Sequence, residues 1–75
     1  MNKNDEKLQN LANQWGYDDS DDFVSEQMFA SIVPGICMND DCEYTTDIEP
    51  DQSRGFCELC GTKTVKSGLL LAGVI

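Results

Sequence analysis

The sequence contains no histidine and has five basic residues against fourteen acidic ones. Histidine is the side chain that most often acts as a general base near neutral pH, and no serine here has an identifiable base beside it, so we do not expect an enzyme. No continuous apolar run exceeds the seven residues at 69–75, far short of the roughly 20 that span a bilayer. The first residues also lack the apolar run of a secretory signal, which predicts a cytoplasmic protein with reduced cysteines.

The net charge of −9 limits the partners that this chain can bind. Such a charge repels phosphate backbones and anionic membranes, so nucleic acid is disfavoured and no membrane partner is expected. It favours a basic protein partner, such as a transcription or replication enzyme. Candidate partner-binding residues are the acidic group Asp40, Asp41 and Glu43 and the basic pair Lys63 and Lys66, which with Arg54 is also a narrow footprint for nucleic acid.

The first 35 residues have the apolar spacing of two amphipathic helices. The first stripe is Leu8, Leu11, Ala12 and Trp15, and the second is Val24, Met28 and Ile32, widened by Phe23 and Phe29. Gly16 offers a C-cap to the first helix, and the acidic run at 18–22 suits the start of the second. Because Pro34-Gly35 ends the pattern, residues 1–35 are predicted to form a helical hairpin.

From residue 36 the pattern becomes that of short strands. Residues 44–48 alternate as a strand does, residues 49–55 have turn chemistry, and Phe56 starts a return strand, so that Tyr44 and Phe56 face each other across a hairpin. Residues 62–65 suit a third strand. The apolar segment 67–75 is predicted to close the core against the helices, as a helix capped by Ser67 or as a strand. If it is exposed, it is an apolar patch for a second copy or for another protein, and the chain is expected to be a monomer or a homodimer through this segment.

All four cysteines lie between these strands, as Cys37-x4-Cys42 and Cys57-x2-Cys60-Gly61. Two close pairs of cysteines on two loops are typical of a structural zinc ion held by four thiolates. A domain of this size buries only about 60% of its surface, so such an ion supplies stability that the core lacks. The rival interpretations are a rubredoxin-like iron site that carries electrons, and disulfides or a dithiol redox pair at Cys57 and Cys60.

The pattern of Cys37, Cys42, Cys57, Cys60 and Gly61 around a strand and a Pro-Asp turn resembles a zinc ribbon. The runs VPGICMNDDCEYTTDIEPDQ and CELCGTKTVKSGLLLAGVI are similar to small uncharacterised zinc-ribbon proteins of bacteria and their phages, in which a helical pair precedes the ribbon. The resemblance implies that the four cysteines are the metal ligands, and it implies no activity. The four-residue spacer between Cys37 and Cys42 departs from the two-residue spacer that is usual in ribbons.

Together these patterns predict an α+β protein of one domain, in which a helical hairpin (1–35) packs on a small three-stranded antiparallel zinc ribbon (36–66), followed by an apolar segment (67–75). We expect a small regulatory interaction module with one structural zinc ion, located in the cytoplasm, or in the host cytoplasm if a phage encodes it. The alternatives are a nucleic-acid-binding ribbon and an iron electron carrier.

Overall fold

A computed structural model describes residues 3–74, in which three helices and four strands are formed. The helices are α1 (Lys3–Gln14), α2 (Ser20–Gln27) and α3 (Gly68–Ala72). The strands are β1 (Val33–Cys37), β2 (Thr45–Ile48), β3 (Gly55–Cys57) and β4 (Thr62–Ser67). All neighbouring strands are antiparallel, in the order β2-β1-β4-β3. The α+β class is therefore confirmed, but the sheet has four strands among these residues and not three.

Helix α1 follows the predicted apolar stripe except at its end. Leu8, Leu11 and Ala12 are buried. The helix then closes in a Schellman motif: the Gly16 N–H donates to the Asn13 carbonyl (3.1 Å) and the Tyr17 N–H to the Ala12 carbonyl (2.9 Å), with Gly16 at φ +88°. Trp15 lies at the cap, beyond the last regular turn, and is 37% exposed. The sequence placed Trp15 in the apolar stripe, but its position at the cap keeps it out of the buried core.

Helix α2 is shorter than predicted. Asp19 caps it by accepting the Asp21 N–H at 2.9 Å, as the acidic run indicated, but the helix ends at Gln27. Phe23 and Val24 are buried, whereas the rest of the predicted stripe is exposed, with Phe29 at 97%. The exposed members are Met28, Phe29 and Ile32. The helical hairpin therefore does not extend to residue 35.

Strand β1 replaces the end of the predicted hairpin. It lies between β2 and β4, and this pairing on both sides requires an extended chain where turn residues had suggested only a helix end. Pro34 disfavours the helical region for Val33. A Cβ on Gly35 would lie 2.9 Å from the Lys66 carbonyl oxygen, so glycine permits the close approach of β1 and β4.

The connection of the strands also differs from the prediction. β2 and β3 lie at opposite edges of the sheet, so Tyr44 and Phe56 do not face each other; Phe56 pairs with Lys63 instead. The intervening turn is attached to the end of β4, where the Ser67 N–H donates to the Gln52 carbonyl at 3.0 Å and the Ser67 hydroxyl donates to the Pro50 carbonyl. The third predicted strand is present as β4.

The C-terminal apolar segment forms a helix, which decides between the two forms that the sequence left open. Ser67 caps α3 by accepting the Leu70 N–H at 3.1 Å. Leu69 and Leu71 pack in one core with Leu8, Leu11, Phe23, Val33 and Ile36, which confirms that this segment closes the core. Ile75 lies outside the described residues, and the homodimer stays a prediction. No helix within residues 3–74 is long and apolar enough to cross a membrane.

Candidate metal centre

The four cysteine sulfurs form one cluster at an end of the sheet, with every pair of Sγ atoms within 4.8 Å. Cys37 Sγ lies 3.8 Å from Cys60 Sγ, and Cys42 Sγ lies 3.6 Å from Cys57 Sγ. Four sulfurs about 2.3 Å from a central ion in a tetrahedron would lie about 3.8 Å apart. The thiol set therefore has the size and the chemistry to hold one metal ion.

The strand order explains why the two pairs meet. We name the loop 37–42 the first knuckle and the loop 57–60 the second knuckle. The first knuckle follows β1, and the second joins β3 to β4. Because β4 pairs antiparallel with both strands, the ends of β1 and β3 lie beside the start of β4. The cysteines are thus brought together by β4, and not by the hairpin of residues 44–57 that the sequence suggested.

Backbone amides of both knuckles point at sulfur atoms. The Cys60 N–H donates to Cys57 Sγ at 3.3 Å, and the amides of Asn39 and Tyr44 donate to the sulfurs of Cys37 and Cys42. Gly61 adopts φ +70°, and its N–H donates to the Cys57 carbonyl at 2.8 Å, which closes the second knuckle. Such N–H donors favour the thiolate form that binds metal.

The pKa values of Cys37 and Cys42 are shifted in opposite directions. Burial raises the pKa of Cys37, but the Thr64 hydroxyl at 3.1 Å and the Asn39 amide lower it more, to about 7. At Cys42 the Tyr44 amide lowers the pKa, whereas burial and hydrogen bonds with the neighbouring thiols raise it to about 12. Protons must therefore leave the cluster when a divalent ion enters, and binding is expected to depend on pH.

Lys7 is a residue of this site that the sequence pattern did not reveal. It is 6% exposed, and its Nζ donates to the carbonyls of Asn39 (2.6 Å) and Cys42 (2.5 Å), both in the first knuckle. The four-residue spacer also closes on itself, since the Cys42 N–H donates to the Asn39 carbonyl at 3.1 Å. One signal was available: Lys7 stands four residues before Leu11, beside the apolar stripe of α1.

The predicted partner-binding residues lie in two places. Asp40, Asp41 and Glu43 are exposed on and beside the first knuckle, whereas Lys63 and Lys66 lie on β4. Asp40 pairs with Lys3 at 3.0 Å, and this contact lowers the pKa of the Asp40 carboxyl. An open cleft of about 290 Å³ separates α1 from the knuckle, and its lining is Lys3, Glu6, Lys7, Asn10, Asp40 and Glu43.

Comparisons with protein-family models, with curated proteins and with solved structures find no match to this chain. The similarity to small bacterial and phage zinc ribbons therefore stays a hypothesis.

Proposed function

We propose that this chain is a small cytosolic zinc-binding interaction module, in which the zinc ion is structural and an acidic surface engages another protein. The observation that supports a zinc site is the close grouping of four sulfur atoms, those of Cys37, Cys42, Cys57 and Cys60. Four protein thiolates complete the tetrahedron that zinc prefers, so no position is left for a water or a substrate. A stabilising role follows, and a catalytic one does not.

A second buried hydrophobic cluster, on the ribbon side, supports a structural role for the metal. This cluster consists of Cys37, Cys42, Ile48, Cys57 and Val65, with Tyr44 packed against it. Three of the five are proposed ligands, so Ile48 and Val65 are the aliphatic side chains of this core. Sulfur-to-metal bonds would take over the cohesion that apolar contacts provide on the helical side.

Metal content tests this proposal directly. The protein should be purified under reducing conditions without a metal-affinity tag, and its metals measured by elemental analysis. We expect close to one zinc ion per chain and a colourless protein. A red protein with visible absorbance and one iron ion would identify the electron carrier instead, because iron also accepts a tetrahedral four-thiolate site. A chain that takes up neither metal, even when refolded with an excess, would end the proposal.

The partner surface is proposed to be the acidic group Asp40, Asp41 and Glu43. All three are exposed, Asp40 and Asp41 on the first knuckle and Glu43 directly after it. A rigid acidic rim on a chain of net charge −9 suits a basic patch of a protein such as a transcription or replication enzyme. The role of such a complex would be regulatory, since the chain carries no catalytic constellation in its sequence.

This surface is tested by a pair of matched charge reversals. In the first variant Asp40, Asp41 and Glu43 are changed to lysine. In the second the same change is made at Asp47, Glu49 and Asp51, which are also exposed and lie on β2 and the turn that follows it. A companion protein that is recovered in stoichiometric amount, and that binds again after purification, should be lost with the first variant and kept with the second. Loss with both, or with neither, argues against this surface.

One observation favours a second function, nucleic-acid binding. Arg54 and Lys63 flank Phe56, which is 55% exposed, in an open cleft of about 500 Å³ that Gln52 completes. Cations beside an exposed aromatic ring suit a nucleotide, because the ring stacks on a base and the cations contact phosphate. A labelled single-stranded oligonucleotide should then bind at low salt, more weakly to the Phe56→Ala variant and with a steep dependence on salt. No binding at low ionic strength would exclude this alternative.

A further inference from the structure

Lys7 is a buried cation that connects the helical layer to the first knuckle. Its ammonium group leaves α1 and donates to two carbonyl oxygens of the knuckle, at Asn39 (2.6 Å) and Cys42 (2.5 Å). The residue is 6% exposed, whereas Lys3, one turn earlier on the same helix, has a half-exposed side chain. Two lysines of one helix therefore lie in very different surroundings.

The partners of these two lysines differ in charge. Lys3 pairs with the Asp40 carboxylate at 3.0 Å, while Lys7 takes two neutral carbonyls. Burial of an ammonium group is unfavourable unless hydrogen bonds and a nearby negative charge offset it. Four thiolates around a divalent ion leave a net charge of −2, and Cys42 is itself one of the two residues that Lys7 contacts. The metal centre is therefore a natural counter-charge for Lys7.

The contacts also fix the shape of the first knuckle. Its spacer of four residues is longer than that of the second knuckle and has more conformations to lose. Lys7 holds a carbonyl at the middle of the spacer and another at its end. The amide that donates to the Cys37 sulfur belongs to Asn39 itself, and the amide that donates to the Cys42 sulfur belongs to Tyr44, two residues after the second carbonyl.

We propose that Lys7 is a positioning residue of the metal centre, whose ammonium group holds the first knuckle in its metal-binding conformation and offsets part of the negative charge of the four thiolates. The inference rests on the proposed function, since it requires a metal ion at the cysteines. It assigns to α1 a role in metal binding that no cysteine pattern contains.

The test compares variants of the full chain by their affinity for zinc, measured in competition with a chelator of known affinity. Lys7→Met keeps the apolar stem and removes the charge and the donors. We expect its zinc affinity to fall by about 10- to 100-fold, the usual effect of removing a group that orients a metal ligand. Lys3→Gln removes the same charge from the same helix at an exposed position, and it should keep an affinity close to that of the wild type.

A second readout separates positioning from general stability. The cobalt(II) form of each variant has visible bands that report the arrangement of the sulfurs. Leu8→Ala weakens the packing of α1 next to Lys7 and should lower the thermal stability without moving these bands. Lys7→Met should move them. Wild-type bands and wild-type zinc affinity in Lys7→Met would overturn the inference while the proposed function stands.

Lys7→Gln is measured in parallel, because it keeps an N–H donor and removes the charge, and it decides the outcome if Lys7→Met does not fold with excess zinc. Weaker zinc binding by a folded Lys7→Gln chain supports the inference, and unchanged binding overturns it. If the wild-type chain binds neither zinc nor cobalt, the proposed function fails first, and the inference fails with it.

Discussion

Removal of the metal is predicted to unfold the chain. Structural zinc contributes about 10–16 kcal/mol at neutral pH in small zinc domains. A domain of 75 residues has a typical total stability of about 4–11 kcal/mol, at about 0.05–0.15 kcal/mol per residue. The free energy of zinc binding therefore equals or exceeds the whole free energy of unfolding expected for a domain of this size. The structure gives a local reason for this dependence, because three of the five members of the buried hydrophobic cluster around the metal centre are cysteines.

The assay is a chelator titration under reducing conditions, followed by amide NMR dispersion and by the fluorescence of Trp15. Trp15 is 37% exposed at the end of α1, so its emission should shift to the red as the helical layer opens. Addition of zinc should restore both signals. The Cys57→Ser variant should resemble the chelated protein without any chelator, since Cys57 is fully buried and lies 3.6 Å from Cys42.

The matched control is Ser53→Ala, at an exposed turn position, which should bind zinc and fold as the wild type does. A metal-free chain that keeps dispersed amide resonances and a cooperative thermal transition would refute the reasoning. In that case the helical core alone would suffice, and the cysteines would need another explanation.

Three further predictions concern proton competition and the helical core. Zinc affinity should rise between about pH 6 and about pH 8, because protons compete with zinc for the thiolates. The Cys42 thiol, whose pKa is raised to about 12, must lose its proton when zinc binds. A zinc affinity that falls with pH in the chelator competition would contradict this prediction. In denaturant unfolding of the zinc form, Phe23→Ala should cost about 3–5 kcal/mol because Phe23 is fully buried, whereas Phe29→Ala, at a 97% exposed position, should change stability by less than about 0.5 kcal/mol; equal losses would place Phe29 in the core. Gly68→Ala should cost about 1–3 kcal/mol, since the added Cβ would lie 2.8 Å from Phe23 Cε2, and an unchanged denaturation midpoint would show that the ring moves aside at little cost.

The parts of the fold that the sequence predicts are those set by local chemistry. Leu8, Leu11 and Ala12 repeat at helical spacing on one face of α1, and the Ser67 hydroxyl caps the helix that follows it. The close spacing of the cysteines likewise limits how far apart two sulfurs of one knuckle can lie. Each of these features depends on a few neighbouring residues, so a pattern in the chain was enough.

The parts that could not be predicted depend on pairing between distant segments. Val33-Pro34-Gly35 has the composition of a turn, yet it is extended because β2 and β4 bond to β1 from both sides. Pro34 pairs with β2 but not with β4, because β4 ends at Ser67, opposite Gly35. The β1–β4 ladder therefore does not need the N–H that proline lacks. β2 and β3 are separated because β1 and β4 lie between them in the sheet.

Basic residues of α1 lie beside the acidic residues and cysteines of the first knuckle, so α1 affects the charge at the candidate metal centre. The first knuckle carries two of the four cysteines together with Asp40 and Asp41, and Glu43 follows it directly, so metal binding would concentrate negative charge on and around a short loop. Of the two α1 lysines beside this loop, Lys7 is buried against its backbone carbonyls, whereas Lys3 pairs with the exposed Asp40 carboxylate, where water screens the charge. Because like charges on the rim oppose the thiolate form of the cysteines, a ribbon without α1 should bind zinc more weakly than the full chain. Contact between α1 and the first knuckle would therefore offset part of the negative charge that the acidic rim adds to the metal site.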